Sequence, residues 1–109
     1  MYKRGEIVLI PFPFTDLSGQ KVRPALVIST SRKEHDIVVI FITSVLTSKI
    51  KNTVAIMPSK QNGIKVKSEI VCGKIATLDK NIVLGKLGMI ESAVQSKVDI
   101  SLKQVLGLQ

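Results

Sequence analysis

The chain has 109 residues, room for a single domain over 1–109, and its 45% hydrophobic content is enough to form a core. Sixteen Lys and Arg against eight Asp and Glu give a formal charge of +8, which says nothing about fold but favours a polyanionic partner. With one cysteine (Cys72) and one histidine (His35), an intrachain disulfide, a closed single-chain zinc site and a two-histidine nuclease are all excluded.

Glu6 to Ile10 is predicted as a first strand, closed by Pro11-Phe12-Pro13. Phe14 to Val22 (FTDLSGQKV) carries the Asp, Ser and Gly of a loop. A second strand follows over Pro24 to Ser29, and polar Ser31 to His35 has room for one helical turn. Ile37 to Ser44 reads as a third strand whose continuous apolar character predicts burial on both faces. Asn52 to Met57 is the fourth, and Lys60-Gln61-Asn62-Gly63 is a turn. Ser68 to Leu78 supplies one or two strands with Gly73 as a bulge or bend, and Val83 to Leu87 a short last strand. The period then changes. Val94, Val98, Leu102 and Val105-Leu106 lie on one helical face, Glu91 near the start suits the dipole, and Gly107 is placed to cap the end. Five to seven short strands and one amphipathic helix predict a mainly β fold with α (α+β), a strongly curved sheet or small barrel with the helix packed on it.

The eight carboxylates form no close cluster of the kind that holds magnesium beside phosphates, and neither a Walker A signature nor Gly-x-Gly-x-x-Gly is present. The longest apolar run, Ile37 to Ile42, is far short of the ~18 residues of a membrane span. Prolines 11 and 13 interrupt the N-terminal segment before a signal-peptide core develops, so a reducing cytoplasm is the expected location.

Four groups of residues are candidates for chemistry. Arg23 precedes Pro24, which holds it extended at a strand entrance after a loop, where its fork of donors suits a phosphate; an isolated Arg-Pro is more commonly a surface feature. Thr43 and Ser44 put two hydroxyls at the end of the most apolar strand, either lining a ligand mouth or capping a turn. Lys49, Lys51, Lys60, Lys65 and Lys67 form either a phosphate track or a solvated face that deters edge pairing. His35 reads as a surface residue, Cys72 as a small buried hydrophobe, and Glu6 is the one carboxylate of the first strand.

Gly5-Glu6-Ile7-Val8, followed by PFPFTDLSGQKVRPALVIS from Pro11 to Ser29, resembles the N-terminal signature of the MazF/PemK toxins. Ile42-Thr43-Ser44, Asn62-Gly63-Ile64, Thr77-Leu78-Asp79-Lys80 and the Val-Leu-Gly-Leu helix end at Val105 to Leu108 follow in that family's order, so the resemblance spans essentially the whole chain. It implies an SH3-like small β-barrel with a C-terminal helix, a homodimer, and a type II toxin–antitoxin endoribonuclease that inhibits growth. Such an enzyme cleaves single-stranded RNA at short motifs without metal or cofactor. A cognate acidic antitoxin neutralises it, and the antitoxin complex binds operator DNA.

By the same resemblance Arg23 and Thr43 are catalytic, with Ser44 adjacent and the Phe14 to Val22 loop bordering the site; Phe14, Thr15, Lys21 and Ser44 are the expected RNA contacts, joined by Lys74 as a compensating positive charge. RNA brings its own 2′-hydroxyl nucleophile, so the expected products are a 2′,3′-cyclic phosphate and a 5′-hydroxyl, with Arg23 stabilising phosphate charge. The sequence departs from some relatives, which carry Arg-Cys-Asp-Gln where this chain reads Val71-Cys72-Gly73-Lys74 and use that Arg and Asp in cleavage. Activity here therefore rests on an Arg23/Thr43 site; the alternative is a non-catalytic relative that binds DNA with an antitoxin.

Overall fold

The apolar stretches of the chain are dominated by Ile and Val, whose branched Cβ packs well on a pleated surface. In the computed structural model, which describes residues 2–12, 21–30, 35–46 and 49–108, these stretches become strands. They are β1 (Glu6–Phe12), β2 (Lys21–Thr30), β3 (Asp36–Thr43), β4 (Thr53–Ile56), β5 (Ser68–Asp79) and β6 (Gly85–Met89). A short 3-10 turn, Lys80–Ile82, precedes β6, and helix α1 (Ser92–Leu106) follows it. The six strands form one antiparallel sheet in the order β4-β5-β3-β2-β1-β6, curled into a half-barrel. The expected mainly β architecture with a C-terminal helix is the one observed.

The sheet buries both faces. Ile7, Leu26, Ile40, Ile42, Ile70 and Cys72 point to one side and pack with Val98 and Leu102 of α1. Val8, Ile10, Ala25, Val27, Ile37, Val39 and Leu78 point to the other. Alternate residues of β3 thus enter two different cores, which is why its sequence is apolar without a break.

Some boundaries differ from the sequence expectation. β1 continues through Pro11 to Phe12, because β6 pairs with β1 only as far as Leu9, and Pro11 therefore lies where β1 is flanked by β2 alone. Lys21 and Val22 belong to β2 rather than to the preceding loop. The last strand lies two residues later than expected, displaced by the 3-10 turn. A helical turn at Ser31 to His35 falls mostly outside the described residues; His35 itself is an exposed bend.

On α1, Val98 and Leu102 are buried and Val94 and Val105 pack on the core, but Leu106 is 56% exposed. At 3.6 residues per turn Leu106 is rotated about 80° from Val98, off the seam that Val105 keeps. Gly107 closes the helix in the left-handed conformation at φ 70°, its N–H donating to the Gln104 carbonyl. Glu91 occupies the N-cap position without capping. Its carboxylate is engaged elsewhere.

That engagement centres on Asn62, whose side chain is completely buried. Asn62 Nδ2 donates to the Met57 carbonyl at 2.8 Å and to Glu91 at 3.1 Å, while Oδ1 accepts from the N–H groups of Ser59 (3.1 Å) and Ile64 (2.8 Å). The Ser59 hydroxyl donates to the same Glu91 carboxylate, holding it below the ordinary carboxylate pKa. The Asn-Gly turn is therefore a polar hub joining the 57–64 segment to the start of α1.

Candidate functional site

Pairing between β2 and β3 stops at Ala25↔Phe41, beside Pro24, which has no N–H with which to extend a ladder. Arg23 and Thr43 each lie two residues beyond that last pair, on the face that carries Ala25 and Phe41. They occupy matching positions where the two strands part. Both line a cleft of about 570 Å³, together with Phe41, Ile50, Val71, Gly73 and Lys74. Arg23 also borders a second cleft, of about 580 Å³, with Lys21, Ser44, Lys65, Ser68 and an apolar lining that includes Leu9, Ile64 and Leu87.

Arg23 is half-buried and is the charged side chain common to the two clefts. Thr43 Oγ1 accepts the Val45 N–H at 3.1 Å, so its hydroxyl proton is directed away from that amide and can be donated to a ligand. This Thr43 contact is a hydroxyl turn as well as a cleft position, so the two sequence alternatives coincide. Adjacent side chains on a strand point to opposite faces, and Thr43 and Ser44 accordingly enter different clefts.

The structure thus gathers the sequence candidates into two groups around one arginine. Thr43 and Lys74 join Arg23 in one cleft, and Lys21 and Ser44 join it in the other. Phe14 and Thr15 lie outside the described residues. Of the lysines at 49, 51, 60, 65 and 67, all are exposed, and Lys65 is the one that lines either cleft. Glu6 is accounted for structurally: it is buried, accepts the Lys3 N–H and pairs with Lys86 Nζ at 3.1 Å.

The Val71-Cys72-Gly73-Lys74 segment is a wide bulge. Ile40 pairs with Ile75 but Ile42 pairs with Ile70, so two steps along β3 match five along β5. β4 takes up part of the slack, with Thr53↔Val71 and the Cys72 N–H donating to the Asn52 carbonyl at 3.0 Å. Gly73 and Lys74 are exposed at the cleft, Val71 is only 4% exposed, and Cys72 turns into the helix-side core. Burial pushes the Cys72 thiol pKa up, with a partly offsetting contribution from Ser101.

Glu69 escaped the sequence reading. It pairs directly with Thr43 across β3 and β5, and Thr53 Oγ1 on β4 donates to its Oε2 at 3.1 Å. Its sequence signal, alternation with Val71 and Gly73 on one face of β5, acquires meaning only once the register with Thr43 is known.

A small curled sheet backed by one C-terminal helix, with an arginine and a threonine lining one cleft where β2 and β3 part, is the arrangement the chain presents. The model of the PemK-like, MazF-like toxins of type II toxin–antitoxin systems matches residues 3–106. The chain belongs to that family.

Among solved structures, an endoribonuclease from Mycobacterial species is 25% identical, with a TM-score of 0.74, over 98% of this chain and 92% of its own. An endoribonuclease in complex with its cognate antitoxin, also Mycobacterial, has a TM-score of 0.80 at 23% identity, covering 100% of this chain and 98% of its own. A MazE–MazF structure from Deinococcus radiodurans gives 0.79 at 21%, with 99% and 98% covered. At the identities of the latter two the likeness is one of fold. No curated protein gives a significant sequence match. Among the described residues no helix is long and apolar enough to cross a membrane.

Proposed function

We propose that the protein is a toxin acting as a metal-independent, sequence-selective endoribonuclease on single-stranded RNA. The observation that carries this reading is the convergence of Arg23 and Thr43 on one cleft at the parting of β2 and β3. The 2′-hydroxyl attacks phosphorus, the P–O5′ bond breaks, and the products are a 2′,3′-cyclic phosphate and a 5′-hydroxyl. Arg23 donates to the phosphate oxygens as their charge grows, and the Thr43 hydroxyl adds a second donor. Lys21 and Lys74, in the two clefts that Arg23 joins, attract the strand on either side of the reacting phosphate. Phe14 and Thr15 belong to the same proposal as RNA contacts.

The second cleft also suits a cognate antitoxin. Val22, Val45 and Val66 line it while 56%, 67% and 56% exposed, and Lys21 and Lys65 stand beside them. An acidic segment with interspersed apolar side chains meets both demands, and by occupying the face beside Arg23 it excludes RNA. A homodimer and operator DNA binding through the antitoxin complex complete the proposal, in a cytoplasmic setting.

The test is cleavage of a long RNA in excess EDTA, with cut sites and end groups mapped. The wild type is expected to cut at a short motif and leave cyclic phosphate. Arg23→Ala is expected to retain its fold, with cleavage reduced at least ~100-fold. Salt-sensitive binding of nucleic acid by the wild type without cleavage would establish the non-catalytic alternative, which the Val71 and Gly73 departures favour.

A further inference from the structure

Arg23, Thr43 and Glu69 form a row across three neighbouring strands of one sheet face. Thr43↔Glu69 is a register pair, and Arg23 and Thr43 are equally far beyond Ala25↔Phe41. Thr43 and Glu69, directly opposed, have Cβ atoms about 5 Å apart, and Arg23 shares a cleft with Thr43 from the other side, across the parting of β2 and β3. Of the carboxylates among the described residues, Glu6 is tied to Lys86, Glu91 to Ser59 and Asn62, and Asp99 to Arg4. Asp36 and Asp79 pair at the far end of β3 and β5. Glu69 alone of these stands beside Thr43.

The carboxylate is held on one side only. Oε2 accepts from Thr53, whereas Oε1 is buried and has no hydrogen-bond partner among the described residues. A buried acceptor without a donor is costly, and it is satisfied by a ligand that brings an O–H or N–H. A phosphate oxygen cannot do so. The 2′-hydroxyl of the nucleotide whose phosphate is held by Arg23 and Thr43 can.

We propose that Glu69 is the proton acceptor for the 2′-hydroxyl, an assignment that rests on the endoribonuclease reading. The 2′-O–H bond breaks with its proton passing to Glu69, the 2′-oxygen forms its bond to phosphorus, and the P–O5′ bond breaks. The departing 5′-oxygen takes a proton from water, and Glu69 returns its proton to solvent once product leaves. Arg23 keeps the role of stabilising phosphate charge and need not lose a proton. The row then contains one group for each demand except protonation of the leaving oxygen.

Glu69→Gln preserves the shape and the acceptor for Thr53 but removes proton affinity. Its kcat is expected to fall at least ~100-fold. Binding of an RNA carrying a 2′-deoxy nucleotide at the cut site should stay within about threefold, separating proton transfer from recognition. In the wild type, log kcat should fall in acid, and the residual activity of Glu69→Gln should lack that fall. The charged groups lining the cleft from β2 and β5 are Arg23 and Lys74, both cations, so the acidic limb is not theirs.

An unchanged kcat in Glu69→Gln, an equal loss of deoxy-RNA binding, or a wild-type profile that does not fall in acid would each overturn the assignment. The wild-type profile answers even if the variant does not fold. Failure of the endoribonuclease reading looks different: no cleavage by the wild type, or undiminished cleavage by Arg23→Ala.

Discussion

Asn62 concentrates more of the fold's polar bonding than any side chain that its sequence setting advertises. An Asn-Gly pair signals a turn, and Gly63 does adopt the left-handed conformation that the turn needs, at φ 72°. Nothing in the dipeptide shows that the asparagine is buried or that Glu91, 29 residues away, reaches back to it. Asn62→Ala would leave the Ser59 and Ile64 N–H groups without their acceptor and strip donors from the Met57 carbonyl and Glu91. Each buried orphan costs about 1–3 kcal/mol, and partial rehydration limits the sum, so a loss of about 3 kcal/mol is expected from urea denaturation. Asn62→Asp keeps the acceptor but sets a second carboxylate against Glu91. It should also destabilise at neutral pH and recover in acid, where either carboxylate can be protonated. Equal stability of Asn62→Ala and wild type would show that the hub contributes little.

At the scale of elements, strands and helix were legible because their signals are local. Runs of Ile and Val, a four-four-three apolar spacing and Gly107 are properties of nearby residues. What governs the candidate site is register, a relation between segments far apart in sequence. Gly73 hinted at irregularity in β5, but the match of two β3 steps to five of β5 depends on β4 drawing Val71 and Cys72 aside. Arg23 and Thr43 were visible as motif residues; Glu69, which pairs with Thr43, was not. The docking of β6 shows the same limit. A Cβ on Gly88 would stand 2.3 Å from the Gln61 carbonyl oxygen and 2.5 Å from the Asn62 carbonyl carbon, both backbone atoms. Gly88→Ala must therefore push β6 off the 61–63 turn, where Met89 N–H donates to the Gln61 carbonyl at 2.8 Å. A cost of about 1–3 kcal/mol is expected, with faster hydrogen exchange concentrated in β6 and the turn. Gly73→Ala is the control. Among the described residues nothing stands within 4 Å of a Cβ there, so the two variants should separate cleanly in thermal melts.

For the whole molecule, the excess of positive charge makes the few carboxylates important to acid stability. The Ser59 hydroxyl bond lowers the Glu91 pKa from 4.5, outweighing the opposing effect of burial, with Asn62 adding to the lowering. For Asp99, burial acts to raise the pKa, but hydrogen bonds from Arg4 and Gln95 and the Arg4 charge carry it below 3.8. A group whose folded pKa is depressed contributes stability above its unfolded pKa and loses it as pH falls through the folded value. The folded protein should accordingly be at full strength in this respect above pH 4.5 and weaken below it, with the Asp99 contribution lost over a lower range. Protonation also removes the countercharge to sixteen Lys and Arg, adding self-repulsion that salt screens. Two variants separate these causes. Glu91→Gln retains an acceptor for Ser59 but cannot titrate, so its melting temperature should change less between about pH 6 and 3 than that of the wild type. Added salt should raise acid stability in both proteins alike, because repulsion among the cations is common to them. If wild type and Glu91→Gln lost stability in parallel throughout the acid range, repulsion alone would account for the loss, and the Asn62–Ser59–Glu91 hub would not be its pH-sensitive part.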